Sequence, residues 1–229
     1  MQLPRGLINT AFSLTSAASR EDVPALPCAP QVVLKHFIHE LTDYEKGEVL
    51  DYEIVYFLGK NKKDKVDQKT KNKDGIEPNN SSPSSEKEGK EPEGVYNHNY
   101  GYDDDKGDYK MVIGDHIGYR YQIVEFLGKG SFGTALRCID HKEKKHVAVK
   151  IVKNKKKYYY QASVELKILQ YLKQHDHEDI MNVVHIYDYV IFRKHLCMAF
   201  ELLSMNLFEF LKINDFNGFD HNLIRRFAI

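Results

Sequence analysis

Three glycines within six residues, Gly128-Lys129-Gly130-Ser131-Phe132-Gly133, separate two β-prone parts of the sequence. The residues before them, 121–127, and after them, 134–139, are predicted to be strands because apolar residues alternate there. A dinucleotide-binding turn can have the same glycine spacing, but its glycines lie between a strand and a helix. At the bend of a hairpin, glycines let backbone N–H groups approach a phosphate closely. An ordinary hairpin bend is the alternative interpretation of this pattern alone.

The next apolar run, Val147-Ala148-Val149-Lys150-Ile151, predicts a strand over 147–152 that contains a lysine. Alternation places Ala148 and Lys150 on the same face of that strand. An ammonium group is costly to bury without a partner. A small residue beside the lysine leaves room for a flat base, while the ammonium can reach phosphates. The alternative is an edge lysine that extends into water.

Glu165 follows Lys150 by fifteen positions in a segment, 159–172, that is predicted to be helical. The helical period places Leu166, Leu169 and Leu172 on one side, and Glu165 lies close to that side. A helix packed on the sheet by its leucines would direct Glu165 toward Lys150. Exposed glutamates are common on helices, so this ion pair is predicted only together with the other two patterns.

Further elements are predicted on both sides of these motifs. Strands are expected at 183–192 and 195–201 and helices at 205–212 and 223–229. Upstream, Val33, Phe37 and Leu41 are spaced four apart, which predicts a helix, and the run Ile54 to Leu58 before Gly59 predicts a short strand or an extended segment. Because this upstream unit is too small to fold alone, we expect it to pack on the later domain.

Composition limits the possible classes of function. Lys plus Arg and Asp plus Glu both total 33, so no net charge favours nucleic acid or an anionic membrane. No apolar run approaches the ~18 residues that span a bilayer. Cys28, Cys138 and Cys197 lack metal-ligand spacing, so we expect reduced thiols, no metal site and a cytoplasmic or nuclear location. The N-terminal segment is interpreted as a disordered tail, with a mitochondrial presequence as the alternative. The lysine-rich stretch after Lys60 is interpreted as a solvated linker, with a nuclear signal as the alternative.

In order and spacing, the three motifs resemble the protein-kinase signatures GxGxxGxV, VAIK and the glutamate of helix αC, with Ala135 in place of the valine. Other stretches resemble the dual-specificity tyrosine-regulated kinases, in particular their second class. These stretches are Leu41-Thr42-Asp43-Tyr44-Glu45, Ile54 to Gly59, Gly101-Tyr102-Asp103-Asp104-Asp105, Met181 to His185, His195 to Met198 and Phe200 to Leu207. The stretches that begin at Leu41 and Ile54 resemble that family's N-terminal homology box, which assists self-phosphorylation.

The resemblance implies an α+β fold: a kinase small lobe with a five-stranded antiparallel sheet plus helix αC, followed by the start of the large lobe. The expected segments are a disordered tail (1–30), the accessory box (31–59), a low-complexity insert (60–94), a linker packing on the lobe (95–115), the small lobe (116–204), and the hinge helix with the beginning of the large lobe (205–229). The insert has Val66 and Ile76 as its only aliphatic residues, so it cannot bury enough apolar surface to order itself.

The resemblance also implies a binding site for ATP. Lys150 would hold the α- and β-phosphates and Glu165 would orient it as the catalytic pair, while Phe200 would lie behind adenine. The backbones of Glu201 and Leu203 would bond adenine, and Asn206 would lie near the ribose. The implied nucleotide-binding residues are Leu127, Gly128, Lys129, Gly130, Ser131, Phe132, Gly133, Thr134, Ala135, Ala148, Lys150, Phe200, Glu201, Leu202, Leu203 and Asn206.

The implied reaction is phosphoryl transfer from ATP–Mg²⁺ to serine, threonine and tyrosine hydroxyls of protein substrates. The HRD and DFG motifs, which supply the general base and the magnesium ligands, do not occur in the sequence. We therefore expect a fragment or incomplete gene model of an active kinase, with its second lobe and metal ligands outside the chain. The alternatives are a non-catalytic module that binds a nucleotide or a partner, and a structural remnant.

Overall fold

The computed structural model describes residues 24–60, 98–176, 180 and 182–228. Most of the predicted tail and all but the first residue of the predicted insert lie outside these residues. The same holds for Met181 and Ile229.

One curled antiparallel sheet forms the centre of the structure, with strand order β1-β2-β3-β4-β6-β5. The strands are β1 (His116–Ile117), β2 (Tyr121–Lys129), β3 (Gly133–Asp140), β4 (Lys145–Val152), β5 (Ile186–Phe192) and β6 (His195–Glu201). The five predicted strands are therefore present, and a sixth, β1, pairs with β2. Two residues are too few to show an alternating pattern, which is why the sequence did not indicate β1.

The strand predicted over 183–192 begins later than expected. β5 starts at Ile186, and the predicted start at Val183 is wrong. Immediately before β5, the Glu201 N–H still donates to the His185 carbonyl at 3.1 Å, but the His185 N–H donates to the Glu201 carboxylate at 2.8 Å, so a side chain takes the place of one backbone acceptor.

Five α-helices surround the sheet in the described part of the chain: α1 (Pro30–His36), α2 (Asp43–Glu48), α3 (Lys156–His175), α4 (Leu207–Ile213) and α5 (His221–Ala228). Short 3₁₀ turns occur at Val49–Asp51 and His98–Gly101. The helix α3 extends beyond both ends of its predicted range. None of the helices in the described ranges combines the length and the apolar character needed to cross a membrane.

One prediction for the accessory box is wrong in detail. The helix α1 ends at His36, and Phe37 closes it through an N–H donated to the Val33 carbonyl at 2.7 Å, so it does not continue to Leu41. The run Ile54 to Leu58, expected to be a strand or an extended segment, forms no ladder; Val55 makes an isolated bridge with Cys28. Val55 and Leu58 pack into the core of the box without a neighbouring strand to complete a ladder.

The sequence analysis missed α2, which is set by a local signal. Thr42 accepts a hydrogen bond from the Glu45 N–H at 3.3 Å, and the Glu45 carboxylate accepts one from the Thr42 N–H at 2.9 Å. This reciprocal pair is a capping box, which satisfies N–H groups that a helix start leaves without partners. The T-x-x-E spacing was readable in the sequence, although Gly47 weakens the helical pattern.

The box packs on the lobe, as expected, through a core of its own. Val33, Leu41, Val49 and Val55 are buried together with Tyr119, which precedes β2. A second core lies within the curled sheet and includes Cys138 and Cys197. Both thiols are free and buried, and burial raises the pKa of Cys138 to about 12. A third core joins α3 to the sheet.

Arg193 connects the box to the β5–β6 hairpin. Its guanidinium lies 2.9 Å from Glu45 and 2.9 Å from Glu48 and donates to the Tyr109 hydroxyl at 3.2 Å. The Tyr102 ring covers it at 3.9 Å. Burial opposes the charged form, but Tyr109 and the bonded Glu48 carboxylate raise the pKa of Arg193 above its ordinary value. A buried positive charge is therefore compensated on several sides.

A group of possible metal ligands adjoins this network. Glu45, Asp115 and His116 offer ligand atoms within 4.8 Å of one another and are all buried. The Arg193 guanidinium, 2.9 Å from the Glu45 carboxylate, already supplies a positive charge at this place. The cluster is therefore explained as part of the ionic contact between box and lobe.

We predict that Arg193→Met destabilises the protein by about 3–5 kcal/mol, because two buried carboxylates lose their partner. Lys194→Met, at the exposed neighbouring position of the same turn, should change the free energy of unfolding by less than about 0.5 kcal/mol. Urea denaturation of the two variants and the parent chain measures both values. Equal effects for the two substitutions would show that the buried ion pairs do not hold the box to the lobe.

Candidate nucleotide-binding site

Lys150 and Glu165 form the predicted ion pair. The Lys150 ammonium lies 2.6 and 2.8 Å from the two carboxylate oxygens of Glu165. Lys150 is placed by β4, where it pairs with Ala135 on one side and Met198 on the other. Ala162 and Leu166 of α3 pack against Met198 and Val152, and this packing brings Glu165 to the sheet.

The exposure of this pair bears on its role. The Lys150 and Glu165 side chains are 29% and 41% exposed. A pair this open to water contributes at most about 1 kcal/mol to stability. The ion pair therefore adds little to the stability of α3. Its main effect is to fix the position of the Lys150 ammonium, which can then bind an anionic ligand.

The Gly-rich hairpin has the geometry of a loop open to a ligand. Strands β2 and β3 pair up to Lys129 and Thr134, and the Gly130 N–H donates to the Gly133 carbonyl at 2.8 Å. A Cβ on Gly133 would collide with the Ile151 carbonyl, so this glycine is required by packing. A Cβ on Gly128 or Gly130 would meet nothing within 4 Å, so packing does not explain those two glycines.

The tip of the hairpin lies against the start of α3. The Phe132 carbonyl accepts a hydrogen bond from the Lys153 N–H at 3.0 Å. The Phe132 ring meets the Tyr158 ring edge-to-face, with centroids 5.8 Å apart. The hairpin, Lys150 and Glu165 are thereby brought to one end of the sheet.

The residues predicted to bind adenine follow from β6 into α4. Ala148 and Phe200 are direct partners in the sheet, so a small side chain lies beside the predicted position behind adenine. Leu203 is exposed, whereas Phe200 packs partly against the α3 core. The Asn206 side chain accepts a hydrogen bond from the Glu209 N–H at 2.8 Å and caps α4, which gives it a structural role besides the predicted contact with ribose.

Comparison with known proteins places this geometry in a family. The protein kinase domain family matches residues 121–228. Dual specificity tyrosine-phosphorylation-regulated kinase 2 of Drosophila melanogaster is 43% identical over 88% of the chain. The human kinases 3 and 4 of the same name are 40% and 41% identical over 96% and 86% of the chain. The chain belongs to the dual-specificity tyrosine-phosphorylation-regulated kinase family. It spans 25%, 33% and 33% of the lengths of these three relatives.

The sequence analysis missed a residue that ties the hairpin of this family member to the segment before the lobe. Asp108 lies 2.8 Å from the Lys129 ammonium and 3.5 Å from that of Lys153, and its carboxylate is buried. These contacts are ionic and lack the alignment of good hydrogen bonds. Asp108 raises the pKa of Lys129. Lys129 was predicted to line the nucleotide site. Because its ammonium contacts Asp108, a contact between Lys129 and a phosphate would be made by its backbone.

Backbone contacts support this ionic group. The Asn154 N–H donates to the Gly107 carbonyl at 2.8 Å, and its side-chain amide donates to Asp103 at 2.8 Å. The Asp103 carboxylate also contacts His195 at 2.8 Å. The sequence contained a signal for these contacts. The aspartates at 103–105 and 108 require positively charged partners, and the lysines at 153–157 can supply them.

A cavity lined by the box and by strand β5 lies away from the predicted nucleotide site. It has a volume of about 980 Å³ and lies between the box and the outer side of β5, with Tyr52, Arg120 and Ile191 in its walls. Neither Lys150 nor the Gly-rich hairpin lines it. The predicted nucleotide site remains on the Lys150 side, where the charge and the glycines are, because volume alone identifies no ligand.

We predict that Asp108→Asn loosens the Gly-rich hairpin without unfolding the sheet. Amide hydrogen exchange at Gly130 and Lys153 should become several-fold faster, because the Gly130 bond closes the hairpin and the Lys153 bond joins the hairpin to the end of β4, and Asp108 contacts a lysine in each of these segments. Exchange in β4 and β6 should change little. Asp105→Asn, an exposed neighbour with the same change of charge, is the control, and equal acceleration by both substitutions would contradict the assignment.

Proposed function

We propose that this chain is the ATP-binding part of a protein kinase that phosphorylates serine and threonine residues of protein substrates and tyrosine on itself. The observation that carries the proposal is the Lys150–Glu165 pair, with the ammonium 2.6 Å from the carboxylate beside an open glycine hairpin. Family membership supports it, and the kinases that the chain resembles are named as dual-specificity enzymes. The proposed compartment is the cytoplasm or the nucleus.

The residues of the chain have distinct tasks in this proposal. Lys150 offsets the negative charge of the α- and β-phosphates, and Glu165 fixes the position of its ammonium. At Gly128 and Gly130 the backbone of the hairpin can approach the phosphates to a distance that a side chain would prevent. Phosphoryl transfer depends mainly on positioning and electrostatic stabilisation, so this grip on the nucleotide is one of its main requirements.

The flat base of ATP would lie between the strands that flank Lys150. Ala148 and Ala135 leave space above and beside it, and Phe200 closes the inner end. Relative to the valine of the kinase pattern, Ala135 lacks two carbons of apolar contact, which weakens the grip by about 1 kcal/mol. The segment 201–206 would contact the outer edge of the base and the ribose.

Mg²⁺ accompanies ATP in the proposed reaction and neutralises phosphate charge when bound. The asparagine and aspartate that hold it in protein kinases belong to motifs that these 229 residues do not contain. No residue of this chain is therefore assigned to the metal.

We predict that ATP stabilises the chain against thermal unfolding, by up to ~2.7 kcal/mol at a concentration one hundred times the dissociation constant. Lys150→Met should weaken ATP binding by roughly tenfold or more, since it removes a charge that contacts phosphates. Lys142→Met, in the exposed β3–β4 turn, is the control. Absence of stabilisation in the parent chain, or equal stabilisation in Lys150→Met, would contradict nucleotide binding at this site.

Transfer of a phosphoryl group to a protein requires more groups than the binding of ATP does. We predict that a polypeptide of these 229 residues gives no phosphorylation of a generic protein substrate above the level of its Lys150→Met variant, because the HRD and DFG groups act together with the nucleotide grip. Radiolabelled ATP with Mg²⁺ measures this. Transfer that the Lys150→Met substitution abolishes would show that the chain itself supplies a base and metal ligands.

A further inference from the structure

The outward face of α3 is apolar although it lies in water. Tyr160, Val164, Ile168 and Tyr171 are 73%, 43%, 55% and 60% exposed. At ~100° per residue these four side chains fall within about one quarter of the helix surface. Ala162 and Leu166 point to the opposite side, where they pack against the sheet. The helix α3 is therefore apolar on two opposite faces, and only one of them is covered in the described structure.

A surface helix normally carries polar residues on the side away from the core. The four side chains are spaced by four, four and three residues and extend over about three turns, roughly 16 Å at ~1.5 Å per residue. Scattered exposed apolar residues need no explanation, whereas a contiguous patch marks an interaction site. Spacings of four and three are those with which one helix packs against another.

In the described part of α3, the charged side chains beside this stripe are lysines. Lys167 lies at one edge of the stripe, Lys156 lies slightly further out on the same side, and Lys157 precedes Tyr160 at the N-terminal end of the stripe. These three lysines form no ion pair with any residue that the structure describes. Glu165 is the only acidic residue of α3, and Lys150 engages it at 2.6 Å. The surface thus presents an apolar seam with an uncompensated positive border.

We propose that the outward face of α3 is a docking surface for an acidic amphipathic helix of a partner protein. The partner helix supplies an apolar seam for Val164, Ile168 and Tyr171 and glutamates or aspartates for the lysines at the edges. A second copy of α3 does not fit, because it would bring lysine against lysine. The inference does not require that the chain binds a nucleotide.

A partner bound to the outward face of α3 would affect the position of Glu165. The same helix carries Glu165 on its other side, and the position of α3 sets the distance between Glu165 and Lys150. A partner on the outward face stabilises one position of α3. Under the proposed function, occupancy of this surface would favour one geometry of the phosphate-binding pair.

The test uses the full chain and two synthetic three-heptad peptides. Both have leucine at heptad positions a and d; one has glutamate at e and g and the other lysine, and like charges there keep each peptide from pairing with itself. Fluorescence anisotropy should show saturable binding of the glutamate peptide and much weaker binding of the lysine peptide. Ile168→Glu should weaken binding of the glutamate peptide at least tenfold, and Lys167→Glu should weaken it several-fold.

The control is Ile113→Glu, which places the same charge on an exposed isoleucine outside α3 and should leave binding unchanged. Thermal unfolding of each variant checks that the fold is retained, and Tyr171→Ala replaces Ile168→Glu if the latter unfolds. The inference is overturned if the glutamate peptide shows no saturable binding below about 1 mM, or if it binds the Ile168→Glu and Ile113→Glu variants equally. Self-association of the parent chain that Ile168→Glu abolishes would assign the face to a second copy and also overturn it.

Discussion

The buried guanidinium of Arg193 is the interaction on which the arrangement of the lobe and its N-terminal box depends. A charge in a dry interior is tolerated only when it is paired on several sides, and the partners of Arg193 come from separate parts of the chain: Glu45 and Glu48 from the box and Tyr109 from the segment before the lobe. Arg193 also adopts a left-handed backbone conformation, with φ of 47°. Such strain persists where surrounding contacts determine the conformation, so the turn, the box and the segment hold one another.

Polar contacts continue from this turn to the nucleotide end of the sheet. His195, two residues after Arg193, contacts Asp103 at 2.8 Å and the Val152 carbonyl at 2.7 Å. Val152 ends the strand that carries Lys150. Asp103 also accepts a hydrogen bond from Asn154, just before α3. The same acidic segment reaches the Gly-rich hairpin through Asp108. The segment ahead of the lobe therefore connects the box to the two elements that are proposed to position a nucleotide.

The parts of this structure that the sequence predicted are those with local signals. Strands β2 and β3 follow from alternation over six or more residues, and β4 and β6 from short, mostly apolar runs. The Lys150–Glu165 pair followed from one strand face, one helix face and a short separation in sequence. Arg193 was placed only in the gap between the predicted strands 183–192 and 195–201, since its contacts with Glu48 join positions 145 residues apart. Asp108 was missed for a related reason: its lysine partners lie in other elements, and charge alone does not tell which lysine a given aspartate meets. For the box run Ile54 to Leu58 the sequence did not decide between a strand and an extended segment, because β-propensity without a neighbouring strand favours packing as readily as pairing.

The central claim is that Lys150 faces the phosphates of a bound nucleotide. An acyl-phosphate derivative of ATP transfers its acyl group to a lysine amine that lies beside the phosphates, and peptide mass spectrometry identifies the modified lysine. The account predicts that Lys150 is acylated preferentially and that excess ATP prevents its modification. Acylation distributed over exposed lysines such as Lys142 and Lys194, with no protection of Lys150 by ATP, would contradict it.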